Sequence, residues 1–405
     1  MRLLALHARG RPAPPVPTRA GTGQVTPLKY DCAIKLTTTR GTPLKPSVRA
    51  GRSTKVATIA DVARLAGVSP MTVSRVINGE QNVRPGTREK VQAAVAELNY
   101  LPNQAARHLA GSEPIRIGML YIDPTAGYLN EFLIGLLNKA TLRHVQLIVQ
   151  RCEAAREGEE KPVAEMIANG IDGLILPPPF CDSQPLLKLV AETDTPAVVV
   201  SAGQPPEAVC AVGINDYQAA YEMTRHLLSL GHHRLGFIIG DPYQSSSARR
   251  LAGFHAAMAD AGLNIEEEEV VAQGMFTYRS GLDAAEFLLS QERRPTAIFA
   301  SNDDMAAATV AIAHRLGLDV PSDLTVVGFD DAPLATTIWP ELTTVRQPIM
   351  EMAGAAVDLL VRHIKARRTG EPLPCEHELM DFELVRRQSD AAPRLRPKPL
   401  AQARR

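Results

Sequence analysis

Residues 68–79 read VSPMTVSRVING, polar in front and apolar behind. Ser69 is a good helix N-cap, and Pro70 suits the first helical position, where a missing N–H costs nothing. Val73, Val76 and Ile77 share one face of that helix, so Thr72, Ser74, Arg75 and Asn78 point elsewhere. Upstream, Thr58 caps the run IADVARLA, with Ile59, Val62, Ala63 and Ala66 on one side, and Gly67 ends it and turns the chain. Downstream of Asn78-Gly79, the spacing of Val91, Ala94, Val95 and Leu98 predicts a third helix over Thr87–Asn99. Two helices joined by a glycine turn and crossed by a third form a helix-turn-helix, whose second helix enters a DNA major groove by its N-terminal end. There Thr72 and Ser74 can bond phosphates or base edges, Arg75 a phosphate or a guanine, and Asn78 the backbone or an adenine. On pattern alone, a plain three-helix bundle whose hydroxyls only cap and back-bond fits the same residues.

The chain has 405 residues, more than one ordinary core holds, and suggests two or three domains. No run approaches the roughly 20 apolar residues of a membrane span, and the apolar patch Leu3–Leu6 is too short for a signal-peptide core. The five cysteines, Cys32, Cys152, Cys181, Cys210 and Cys375, are scattered and form no CxxC, against a disulfide framework or a zinc site. These features indicate a soluble, reduced, cytoplasmic protein. A formal net charge of zero hides a basic start: residues 1–54 carry ten Lys and Arg against the single acid Asp31. They are rich in Pro, Thr and Gly without period, which reads as a disordered extension, either idle or a nonspecific DNA-binding arm. Residues 391–405, with three prolines, read as a disordered tail.

From Ile115 the pattern alternates. IRIGMLYI, VQLIVQRC, GLILPP, PAVVVSA, RLGFIIG, TAIFAS and LTVVGFDD are short β-branched runs, separated by helical stretches such as Leu129–Leu142 and Ser247–Ala261. Such alternation predicts α/β architecture with parallel sheets covered by helices, and its length predicts two sheets.

The run from Thr58 to Gly111, with VAxxAGVSxxTVSRVxN and TRxKVxxAxxELxYxPNxxAxxL, closely resembles the headpiece of the lactose/galactose repressor family of bacterial transcription factors. The likeness continues through LLSLGHHRLGFIIG, SARRLAGFHAAM, AIFASNDDMAA, LTVVGFDDAPLA and PELTTVRQP, leaving only the two tails outside it. It implies a headpiece over 55–102, a hinge helix and linker over 103–114, and an effector-binding and dimerisation domain over 115–390. That domain is expected to resemble a periplasmic binding protein, with two Rossmann-type subdomains. The N-subdomain would take about 115–214 and 343–370, the C-subdomain about 215–340 and 371–388.

The resemblance also assigns residues. Pro70 and Met71 stand where the family reads bases; neither is a strong donor or acceptor, so thymine-methyl or water-mediated contacts are expected. Thr72, Ser74, Arg75 and Asn78 match phosphate- and base-contacting positions, and Thr58 and Ser69 match helix starts that hold phosphates. Asn103 to Leu109 matches the hinge helix, with Arg107 beside phosphate and Leu109 wedged into the central minor-groove step. Arg250, Asn302 and Asp330 match effector positions: a guanidinium clamp, an amide and a carboxylate suited to vicinal hydroxyls. The competing readings are a surface salt bridge for Arg250 and a helix cap for Asn302, and Asp330 is preferred to Asp331 by register alone. Tyr128 is a candidate for stacking on a sugar ring, against plain loop packing; Phe276 and Tyr278 are weaker ones, and Trp339 reads as packing. Many relatives place an aspartate soon after the strand PAVVVSA; here Ser201-Ala-Gly-Gln204 follows, so no particular sugar transfers.

The reading is a sequence-specific repressor, a homodimer on a pseudo-palindromic operator, released by a small sugar; corepression by a purine is the alternative sign. The tail lacks the leucine heptads of a tetramer. No GxGxxG after a strand, GxxxxGK[ST], GxSxG or HExxH is present, so neither an enzyme nor a cofactor or metal is expected.

Overall fold

The computed structural model describes residues 57–77, 83–98, 100, 114–122, 127–152 and 158–394. Asn78, Asn103, Arg107, Leu109 and the extension 1–54 lie outside the described residues. The chain divides into two compact units, one ending at Leu101 and the other beginning at Pro102.

In the first unit, helices Ile59–Ala66, Pro70–Ile77 and Pro85–Glu97 enclose a small core. Thr58 and Asp61 form a reciprocal capping box, and Gly67 closes the first helix in the left-handed region, at φ 66°. Ser69 caps the second helix, its hydroxyl accepting from the Thr72 amide at 3.2 Å. The third helix starts at Pro85, two residues earlier than Thr87, because proline's fixed φ suits the first turn. Val62, Val73 and Val91 are fully buried, each contributing about 1.5 kcal/mol, and Tyr100 closes the cluster.

The second unit holds two six-stranded sheets. The strands are β1 (Arg116–Tyr121), β2 (Gln146–Arg151), β3 (Gly173–Leu176), β4 (Ala197–Val200), β5 (Cys210–Ile214), β6 (Leu235–Ile239), β7 (Glu269–Gln273), β8 (Ala297–Ala300), β9 (Thr325–Asp330), β10 (Thr343–Arg346), β11 (His377–Met380) and β12 (Glu383–Val385). The first sheet runs β11-β5-β4-β3-β1-β2, every pair parallel. The second runs β12-β10-β9-β8-β6-β7, parallel except for β10 with β12. Strands β3, β5, β8 and β9 are buried throughout, as unbroken apolar runs covered on both faces should be. In each sheet the order reverses beside the first strand, between β1 and β3 and between β6 and β8. Such switch points open a crevice at the carboxyl ends of the strands.

The return of the chain differs from the expected division. Segment 343–370 is split: β10 pairs with β9 in the second sheet, and only the helix Ile349–Thr369 goes back to the first. Segment 371–388 is split too, because β11 pairs with β5. The sequence hid this: β11 reads HELM, a polar edge strand with three of four residues exposed, and gives no core signal. Residues 391–394, expected within the tail, are bonded to the domain. The Ala391 amide donates to Thr325 Oγ1 at 3.0 Å, its carbonyl accepts from His232, and Arg394 pairs with Asp323 at 2.6 Å. His232, next to the Gly231 turn, is buried and held neutral by that burial. Trp339 does not pack: it is 74% exposed.

Candidate functional site

The N-terminal end of the second helix, expected to read a groove, is an exposed polar-to-apolar edge. Ser69, Pro70, Met71 and Arg75 are exposed, Met71 at 64%, while Thr72 and Ser74 are half-buried. Thr72 Oγ1 and Ser69 Oγ lie 2.9 Å apart, so both hydroxyls already serve the helix start. The Thr58 hydroxyl and amide donate to Asp61 Oδ2 at 2.7 and 3.0 Å, and these bonds hold the Asp61 carboxyl below its usual range. A phosphate at this helix start would have to displace Asp61.

In the second unit, a cavity of about 380 Å³ lies at the carboxyl ends of the strands of both sheets. Tyr128, Arg250, Asn302 and Asp330 all line it. Arg250, on the helix Ser245–Asp260, is 4% exposed and is no surface ion pair. Its Nε donates to Asp216 Oδ1 at 2.8 Å and its Nη1 to the Ser301 carbonyl at 2.5 Å, with the guanidinium 3.6 Å from the centre of the Phe329 ring. Burial raises Asp216 above the usual carboxylate range although Arg250 opposes it. The guanidinium is thus fixed from behind, which makes it a pre-oriented fork rather than a mobile charge.

Asn302 does cap the next helix: its Oδ1 accepts from the Met305 amide at 3.0 Å, and its Nδ2 donates to the Phe276 carbonyl at 3.0 Å. One N–H and one lone pair remain for a ligand. Asp330 ends β9 at φ 113°, a backbone conformation that costs energy for a non-glycine residue and aims its carboxyl into the cavity. Gln347 Nε2 donates to Asp330 Oδ1 at 2.7 Å. Burial pushes Asp330 up to about 7, against the lowering by Arg250 and Gln347. Asp331 faces away, paired with Arg346 at 2.7 Å and Arg387 at 2.6 Å.

Tyr128 stacks on Phe132 at 6.1 Å, and its hydroxyl lies 2.7 Å from Ser201 Oγ. Burial raises that phenol far above its ordinary value. Ser201, which follows β4, thus meets the Tyr128 hydroxyl at the rim of the cavity. Phe276 lines the cavity with its ring pressed on Gly240, where a Cβ would come within 2.0 Å of the ring; Tyr278 is not among the lining residues and is 43% exposed. Sequence reasoning missed Asp216, Gln347, Asp241 and Asp304, of which the last three also line the cavity. It also missed a contact across the cleft. Asp182 of the first subdomain accepts from the Ser245 amide at 2.9 Å and the Ser245 hydroxyl at 2.6 Å, capping the helix that carries Arg250.

A three-helix DNA-binding unit followed by a two-sheet binding domain with a polar cleft defines a ligand-responsive DNA-binding regulator. Residues 58–103 match the family "Bacterial regulatory proteins, lacI family", and residues 224–389 match "Periplasmic binding protein-like domain". Catabolite control protein A of Priestia megaterium is 32% identical over 308 residues, 76% of this chain and 92% of that protein. The ribose operon repressor of Escherichia coli K12 is 34% identical over 312 residues, 76% and 93% of the two chains. Among solved structures, a transcriptional regulator CelR–cellobiose complex is similar at TM-score 0.63 and 30% identity, covering 82% of this chain and 99% of that one. A Lac repressor dimer bound to operator and the anti-inducer ONPF gives 0.62 at 28%, covering 84% and 100%. The chain belongs to the LacI family of DNA-binding transcriptional regulators.

Proposed function

We propose that this protein represses carbohydrate-utilisation genes as a cytoplasmic, nucleoid-bound homodimer, and that a small neutral sugar in the cleft releases it from a pseudo-palindromic operator. The observation that carries the reading is one cavity lined by a fixed guanidinium, three carboxylates (Asp241, Asp304 and Asp330) and the amides of Asn302, Gln244 and Gln347, beside the Phe276 ring. Carboxylates and amides accept and donate to neighbouring hydroxyls, and an aromatic ring suits the apolar face of a sugar. Three acids against one already paired arginine also disfavour an anionic ligand. A purine offers fewer donors to such a set, which favours induction over corepression.

In this reading Ser69, Pro70, Met71, Thr72, Ser74, Arg75 and Asn78 meet the major groove, Thr58 the phosphates, and Asn103, Arg107 and Leu109 form the hinge contacts. Ile134, Leu137 and Leu142 on the helix Gly127–Arg143 are half or more exposed, as an apolar stripe free to meet a second copy. Sugar binding would shift the subdomains by its differential affinity for two arrangements of the cleft, whose closed contact is Asp182 with Ser245. Asp330→Ala should keep operator affinity within about twofold and lose release by every sugar tested. An unchanged response in that variant would place the ligand elsewhere.

A further inference from the structure

The fold brings together what the sequence scatters. Cys210 opens β5, and Cys375 lies two residues before β11, its parallel neighbour, with Ala211 opposite His377. The ladder continues one step back, because the Ala211 amide donates to the Glu376 carbonyl at 2.9 Å. With strands about 4.8 Å apart and about 3.3 Å per residue, that register puts the two cysteine Cα atoms about 6 Å apart. Cys375 precedes the first paired residue of β11, so the alternation of the ladder does not turn its side chain away, and its sulfur approaches the Cys210 thiol. Both thiols are free and line one cavity of about 600 Å³, at the end of the first subdomain opposite the effector cleft. Cys375 is exposed, its Sγ 3.2 Å from the Ala208 carbonyl; Cys210 is 3% exposed, its Sγ 3.4 Å from His363 Nε2.

We propose that Cys375 and Cys210 are an oxidisable pair, in which Cys375 meets a peroxide and Cys210, with His363 as its proton acceptor, closes an intrachain disulfide. The Cys375 sulfur attacks one oxygen of hydrogen peroxide and the O–O bond breaks. The departing hydroxide takes the thiol proton and leaves as water, and Cys375 becomes a sulfenic acid. Cys210 then gives its proton to His363 Nε2, and its sulfur attacks the Cys375 sulfur. The S–S bond forms, the S–O bond breaks, and the hydroxide recovers the proton from His363 as a second water. Two thiols and one peroxide thus give one disulfide and two waters. Burial, with the neighbouring Cys375 sulfur adding to it, pushes the Cys210 thiol up to about 11, so it needs a base; burial lowers His363 and keeps its imidazole neutral.

The location gives the bond reach. β5 runs into Asp216, the partner of Arg250, and β11 runs into β12 of the second sheet. A disulfide would tie two of the segments that cross between subdomains at their starts.

The test is a peptide map of the full chain after a few equivalents of hydrogen peroxide and thiol blocking. The expected product is a 210–375 linked peptide, lost on reduction. Cys210→Ser should leave Cys375 as a sulfenic acid trapped by dimedone, and Cys375→Ser, an exposed substitution, should leave Cys210 a thiol. His363→Asn should slow linkage about tenfold while sulfenic acid still forms. Linkage of Cys375 to a second chain, over-oxidation of Cys375 with Cys210 still reduced, or two unreacted thiols would each overturn the proposal.

Discussion

Replacing Arg250 by Met tests whether the guanidinium is anchored as described. The side chain is buried, bonded to Asp216 and the Ser301 carbonyl, and stacked on Phe329. Methionine fills much of the volume but leaves Asp216 as a buried charge without its counter-ion. Breaking a buried pair from one side costs about 3–5 kcal/mol. For a domain of this size, each kcal/mol moves the melting temperature by about 2 °C, so the variant should melt at least about 6 °C lower at pH 8. The pH sign follows from Asp216, whose folded pKa is raised by burial. A carboxyl raised in the folded state favours folding when protonated, and that stability is lost as pH rises past its unfolded value. Without Arg250 the pKa rises further, so the deficit should shrink at pH 5. Asp216→Asn added to Arg250→Met should recover at least half of the loss. A single variant melting within about 2 °C of the parent, or a double variant no better than the single, would refute the anchoring argument.

Other outcomes follow from single contacts. Asp330 at about 7 must ionise to accept two hydroxyls, so effector affinity should rise about tenfold from pH 6 to pH 8 and level off above; Asp330→Asn should flatten the profile in titration calorimetry. Gly240→Ala puts a methyl within 2.0 Å of the Phe276 ring and should weaken sugar binding at least about tenfold, with a melting shift under about 3 °C. Thr58→Ala removes a capping box and should cost the first helix about 1 kcal/mol, read as faster amide exchange in residues 59–66. Met71→Ala should relax base preference at one operator position in a site-selection assay and leave the circular dichroism unchanged, since this side chain is 64% exposed.

Local signals explain which features the sequence discloses. Thr58, Gly67 and Ser69-Pro70 mark helix ends through bonds to their own neighbours, so the headpiece is legible residue by residue. The strands β3, β5, β8 and β9 are legible because double burial demands continuous apolar runs. Arg250, Asn302 and Asp330 stand out only through family resemblance, and only the fold places them on one cavity. Asp216 reads locally as an ordinary acid in a helix's first turn; its role depends on a residue thirty-four positions away. Gln347 follows a strand that belongs to the other sheet than expected, and Asp182 meets Ser245 only across the cleft. Such partners carry no local periodicity, and neither do Cys210 and Cys375, which parallel pairing alone brings together.

The most direct test of the central claim is selection of bound sites by the full-length protein from random duplexes, followed by titration of the recovered duplex with sugars and purines. The expected outcome is a pseudo-palindrome with two half-sites, released by one neutral sugar in the parent and by none in Asp330→Ala. Failure to enrich any site, or a recovered site held more tightly with a purine and indifferent to every sugar, would contradict it.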